Sequence, residues 1–135
     1  MIKFQNVSKI YLPDIHALEN VSFEVKPKEF VSLVGKSGAG KTTLFKLLLA
    51  EEDPTEGRIY FDDQDINKIK KSEIYLLRRK IGVVFQDYKL LPFKTAYENV
   101  AYALEALAAS GQEIQRNTME ILGIVGLAER ADNFP

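Results

Sequence analysis

One stretch constrains this chain more than any other. An apolar run, Phe30 to Val34, passes into Gly35-Lys36-Ser37-Gly38-Ala39-Gly40-Lys41-Thr42-Thr43 and leaves as a second apolar run, Leu44 to Ala50. A short run that is apolar on both sides of the pleat reads as a strand buried on both faces. A run apolar nearly all round a helical wheel reads as a buried helix. Between them Gly35, Gly40, Lys41 and Thr42 satisfy the pattern G-x-x-x-x-G-K-[ST] in the strand, loop and helix context that it requires. Backbone N–H groups can wrap phosphates only where no Cβ intrudes, which accounts for Gly35, Gly38 and Gly40. The helix that opens near Gly40 directs its positive end at the anion. Lys41 adds a point charge for the β and γ phosphates, and the Thr42 hydroxyl suits the coordination shell of Mg²⁺. Residues Gly35 to Thr43 are therefore the candidate binding loop for ATP or a closely related nucleotide.

The rest of the chain places this loop in an α/β domain. Ile2 to Tyr11 alternates apolar and polar residues, with Ile2, Phe4 and Val7 on one face after a slip in register, and reads as a strand. Val21, Phe23 and Val25 mark a second strand, and Arg58 to Phe61 a third. Ile81 to Phe85 is another short apolar run, expected as a buried strand that ends at Gln86. Ser72 is a candidate cap for a helix reaching about Lys80, and Thr95 for one from Ala96 to about Ala108. A further helix is expected from Glu113 to about Leu122. Strands interleaved with helices predict a parallel sheet. Everything from Thr95 onward reads as helix. The expected division is a β-rich core over residues 1–91 and a helical subdomain over residues 92–135.

Composition narrows the function classes. With 18 basic and 19 acidic residues the net charge is −1, so nothing in the balance argues for nucleic acid. The absence of cysteine excludes disulfides and thiolate metal sites, and a single histidine, His16, excludes a histidine metal cluster. His16 reads as a surface loop residue. The N-terminus shows no signal-peptide pattern, and no apolar run approaches the roughly 18 residues that span a bilayer. Lys68, Lys70, Lys71, Arg78, Arg79 and Lys80 form a basic stretch; a solvated helix face is the favoured reading, and contact with anionic lipid the other.

Three further features surround the loop. Phe85-Gln86-Asp87 resembles the Q-loop of ABC ATPases, where an amide ligates Mg²⁺ or holds the attacking water. Tyr11 stands upstream of Gly35, where that family has an aromatic that stacks on adenine. Pro54-Thr55-Glu56-Gly57-Arg58 resembles the family's turn into its next strand. Taken alone, Gln86 also reads as the polar end of a strand, and Tyr11 as a core or strand-edge tyrosine. In order and at family spacing they identify the chain as resembling an ABC ATPase. Within that family FQNVSKIY, SLVGKSGAGKTTLFKLL and LRRKIGVVFQDYKLLPFKTAYENVAYAL are most similar to the FtsE group of cell-division ATP-binding proteins.

The resemblance implies an N-terminal antiparallel β segment, a partial RecA-like parallel sheet and the start of a helical subdomain. It implies ATP and Mg²⁺ as ligands, with Tyr11, residues 35–43 and Gln86 on the nucleotide and Thr42 and Gln86 on the metal. It also implies a homodimer docked on an integral membrane protein of FtsX type at the cytoplasmic side of a bacterial membrane, with Leu90, Leu91 and Phe93 suited either to that partner or to a local core. Related exporter ATPases of the LolD and MacB types are the alternative, as is a non-catalytic nucleotide-binding module. A GTPase or small-molecule kinase lacks support, because no NKxD motif is present. The family's LSGGQ-type signature, its Walker B strand with the catalytic carboxylate, and its switch histidine are expected after Pro135. Without them the chain is expected to bind nucleotide weakly and not to turn it over, and Phe30 to Val34 is expected to present an open apolar edge.

Overall fold

A computed structural model describes residues 1–135 as two compact units, Met1–Gly82 and Val83–Pro135. In the first unit, strands β1 (Ile2–Tyr11), β2 (Ile15–Val25), β3 (Glu56–Phe61) and β4 (Gln64–Asp65) form one sheet in the order β2-β1-β3-β4. Every pairing is antiparallel. The slip visible in the alternation of β1 is a bulge: register shifts between Phe4 and Val7 against β2, where Asn6 takes a left-handed φ of 48°. The extra residue returns Val7 to the face already used by Phe4, so both are buried.

Helix α1 (Lys41–Leu48) lays Leu47 and Leu48 on that face, against Phe4, Val7, Leu18 and Ile59. Phe4 stacks on Phe23 of β2 with ring centroids 4.6 Å apart. Each fully buried Leu or Ile side chain here contributes roughly 2 kcal/mol through area removed from water. A short helix α2 (Ile74–Arg78) adds Leu77 to the same core. Ser72 does not cap it: Ser72 lies within a 3₁₀ turn, Lys71–Glu73, and the residue before α2 makes no side-chain cap.

The parallel part of the expected sheet does not form. Residues 30–34 and 81–85 pair with no strand. Phe30 and Val34 are each 93% exposed, and Val84 is 97% exposed. A run that is apolar on both faces becomes buried only between two ladder neighbours and two covering layers. Residues 1–135 supply no parallel neighbour to either segment. The segment from Phe30 instead flanks a groove of about 310 Å³ lined by Ile2, Phe4, Phe23, Phe30, Leu44 and Leu48.

The second unit is built on α3 (Ala96–Ala106) and α4 (Gly111–Ile124). Both begin with a reciprocal capping box, Thr95 with Glu98 and Ser110 with Glu113. These bonds hold the Glu98 and Glu113 carboxyls below their ordinary range, Glu98 chiefly through the Thr95 backbone N–H and Glu113 chiefly through the Ser110 hydroxyl. Ala101, Thr118 and Leu122 are buried in this unit. Its last residues return to α3: the N–H groups of Ala96 and Tyr97 donate to the carbonyls of Asn133 and Ala131, both at 2.8 Å.

Candidate functional site

The loop from Gly35 to Gly40 is irregular and solvent-facing until Gly40, which is buried. Two of its glycines have left-handed backbones, Gly38 at φ 81° and Gly40 at φ 82°, a region that other residues enter only with strain. They do so for different reasons. Around Gly38 nothing lies within 4 Å of where a Cβ would stand, so that side is open. At Gly40 a Cβ would meet the Ala17 carbonyl oxygen at 2.4 Å and Leu18 Cδ2 at 2.8 Å. The loop is thus pressed onto β2 at its last residue and open at its crest.

Lys41 begins α1 and turns back over the loop. Its Nζ donates to the carbonyl oxygens of Gly35 and Lys36, 2.7 Å from each. The Ala39 N–H also donates to the Lys36 carbonyl, which closes the turn over Ser37 and Gly38. The N–H groups of Lys41, Thr42 and Thr43 belong to the first turn of α1 and have no intrahelical acceptor. Together with the open face at Gly38 and the Lys41 ammonium, they form a donor set matched to phosphate oxygens. The Thr42 side chain is exposed at this turn, while Thr43 is buried behind it. Residues Gly35 to Thr43 therefore fit a nucleotide triphosphate, and the Thr42 hydroxyl fits one place in a Mg²⁺ shell.

Tyr11 ends β1 at the turn of the hairpin. Lys9 pairs with Leu18, the residue that touches Gly40, and Tyr11 pairs with Ile15 further along the same hairpin. The tyrosine hydroxyl donates to Glu52 Oε2 at 2.6 Å. Glu52 Oε1 accepts from Lys46 Nζ of α1 at 2.9 Å, and Lys9 Nζ lies 3.4 Å from Oε2 and 5.1 Å from the centre of the Tyr11 ring. The Tyr11 hydroxyl, then the Lys46 ammonium, hold the Glu52 carboxyl down at about 2, and the same carboxylate raises Lys46. Glu52, Lys46 and Lys9 were not legible as partners of Tyr11, because Glu51-Glu52-Asp53 reads only as an acidic turn.

Gln86 lies in the second unit, exposed, in a turn closed by the Tyr88 N–H on the Phe85 carbonyl. It does not end a strand as expected. Tyr88 and Lys89 after it have left-handed φ values of 56° and 50°. Lys89 and Asp87 form an ion pair at 2.6 Å that lowers the Asp87 carboxyl. His16 is an exposed residue of β2, flanked by Asp14 at 3.1 Å and Glu19 at 3.0 Å. No cluster of three or more His, Cys, Asp or Glu side chains suited to a metal ion is present.

Comparison with known proteins gives the family. Residues 18–134 match the family model described as ABC transporter. The chain is 47% identical over 135 residues to the cell division ATP-binding protein FtsE of Escherichia coli K12 and 46% identical to that of Bacillus subtilis 168. It spans 61% and 59% of those two proteins, which are thus longer than the 135 residues described here. Among solved structures it resembles a dimeric ATP-binding cassette in a post-hydrolysis state bound to ADP and Pi. That likeness has a TM-score of 0.89 at 38% identity, covering 100% of this chain and 62% of the other. The chain belongs to the ABC transporter family, and its α/β fold is part of that family's ATP-binding cassette.

Proposed function

We propose that residues 1–135 are the nucleotide-binding portion of an ABC-type ATP-binding subunit acting in cell division. The observation that carries this reading is the loop itself: the Lys41 ammonium over the Gly35 and Lys36 carbonyls, beside the open first turn of α1. Lys41 and the N–H groups of residues 38–43 hold the phosphates, with Gly35, Lys36, Ser37 and Ala39 shaping the cradle. Tyr11 supplies a face for the base. Thr42 is the group of the loop that would hold Mg²⁺, which when bound neutralises charge on the β and γ phosphate oxygens. Phosphoryl transfer to water needs a group that orients the water. We assign binding to residues 1–135, and turnover to the longer protein.

The likeness to FtsE supports the division role, with an FtsX-type membrane protein as partner and the cytoplasmic face of the membrane as the place of action. No helix here is long and apolar enough to cross a membrane, so attachment would come through that partner. The dimeric state of the similar cassette supports a homodimer. The test is equilibrium binding of MgATP by calorimetry. Wild-type protein is expected to bind, and Lys41→Ala to lose about tenfold or more in affinity through one charge-assisted contact. Equal binding by both proteins would overturn the assignment of the loop. Co-purification with an FtsX-type protein, and not with an exporter permease, is expected for the division role; the reverse would assign the chain to export.

A further inference from the structure

We propose that Glu52 is a positioning residue for the nucleotide base: it fixes the Tyr11 ring by its hydroxyl and ties that ring to the phosphate-binding helix through Lys46. The inference rests on the nucleotide reading above and adds to it the group that sets how the base is received.

A half-buried tyrosine at the end of a strand has rotamer freedom that a stacking ligand must remove on binding. Here that freedom is already restricted. The phenol–carboxylate bond between Tyr11 and Glu52, at 2.6 Å, has the length of a charge-assisted hydrogen bond. Lys9 Nζ lies over the ring, 5.1 Å from its centre, and is itself held by the Asp53 carbonyl at 2.7 Å. One face of the ring is thereby occupied by a cation, so a base would stack on the opposite face. The second Glu52 oxygen, Oε1, takes Lys46 Nζ at 2.9 Å. Lys46 lies on α1, whose first turn carries the phosphate donors. One carboxylate therefore spans from the base platform to the phosphate helix. Besides what the ion pairs contribute to stability, this arrangement is expected to act on the geometry of the ring.

The experiment compares affinity for ATP with affinity for inorganic tripolyphosphate, which has the phosphates and no base, in the full chain and its variants. Glu52→Ala is expected to weaken ATP binding about fivefold and to leave tripolyphosphate binding within about twofold. Tyr11→Phe, which keeps the ring and removes only the tether, is expected to reproduce most of that loss. The double variant is expected to be no weaker than Glu52→Ala alone, because both changes cut the same bond. Equal weakening of both ligands by Glu52→Ala would show a merely structural role and overturn the proposal. So would unchanged ATP affinity in Tyr11→Phe, a variant mild enough to keep the fold. If wild-type protein binds ATP no tighter than tripolyphosphate, the base platform is absent and the proposal fails while the phosphate loop stands. If it binds neither, both readings fail.

Discussion

The backbone of Gly40 lies against the carbonyl oxygen of Ala17, so close that an added Cβ would stand 2.4 Å from it. Gly40, one of the three glycines of the proposed phosphate loop, is therefore the one that seats the loop on β2. Gly40→Ala must both adopt a left-handed backbone and displace that carbonyl. It is expected to lose at least about 2 kcal/mol of stability. Gly38→Ala has the same backbone strain but open space around it, so its cost is expected near 1 kcal/mol. Chemical denaturation of the two variants side by side measures the difference. Equal losses would mean that contact with Ala17 contributes nothing.

Arg78 closes the other end of α1. Its Nε donates to the Leu49 carbonyl at 2.8 Å and its Nη2 to the Ala50 carbonyl at 3.1 Å, satisfying acceptors that a helix C-terminus leaves open. Arg78→Ala is expected to cost about 1.5–3 kcal/mol, as for hydrogen bonds to a charged group. Arg78→Lys is expected to recover only part of it, because one ammonium does not reproduce the guanidinium fork. Thermal melts of the two variants provide the check.

Asn99 organises the segment that precedes α3. Its Oδ1 accepts from the Leu91 N–H at 2.8 Å, and its Nδ2 donates to the carbonyls of Leu91, Lys94 and Thr95. Asn99→Ala is expected to raise amide exchange at Leu91 by about fivefold, the equivalent of losing one hydrogen bond of roughly 1 kcal/mol. Exchange in α4 is expected to stay as in the wild type. Uniform acceleration through α3 and α4 would instead mean that Asn99 supports the whole helical unit.

Glu52 also gives stability a pH dependence. Its carboxyl is ionised down to about 2 in the folded chain, against 4.5 for the free group. The folded state thus gains stability from the ionised form above pH 4.5, and that gain is lost as pH falls toward 2. Asp87, Glu98 and Glu113 shift in the same direction, so the readout is the difference between wild type and Glu52→Gln. That difference is expected to shrink steadily on acidification. A difference independent of pH would show that Glu52 acts by packing and not by charge.

What the sequence determined by itself was local. The glycine-rich loop from Gly35 and the helix that follows it were legible because each residue type answers to its own backbone and immediate neighbours. The cap at Thr95 rests on a residue three positions on, Glu98. The slip in β1 was visible as a break in alternation and proved to be the bulge at Asn6. Tertiary structure decided the rest. Whether Phe30 to Val34 becomes a strand depends on ladder partners, and hydrogen bonds between strands are not encoded in the strand alone. The second duty of Gly40 depends on where β2 passes. The bond from Tyr11 to Glu52 joins residues far apart in the chain, through the packing of α1 on the sheet, and no periodicity or motif could announce it.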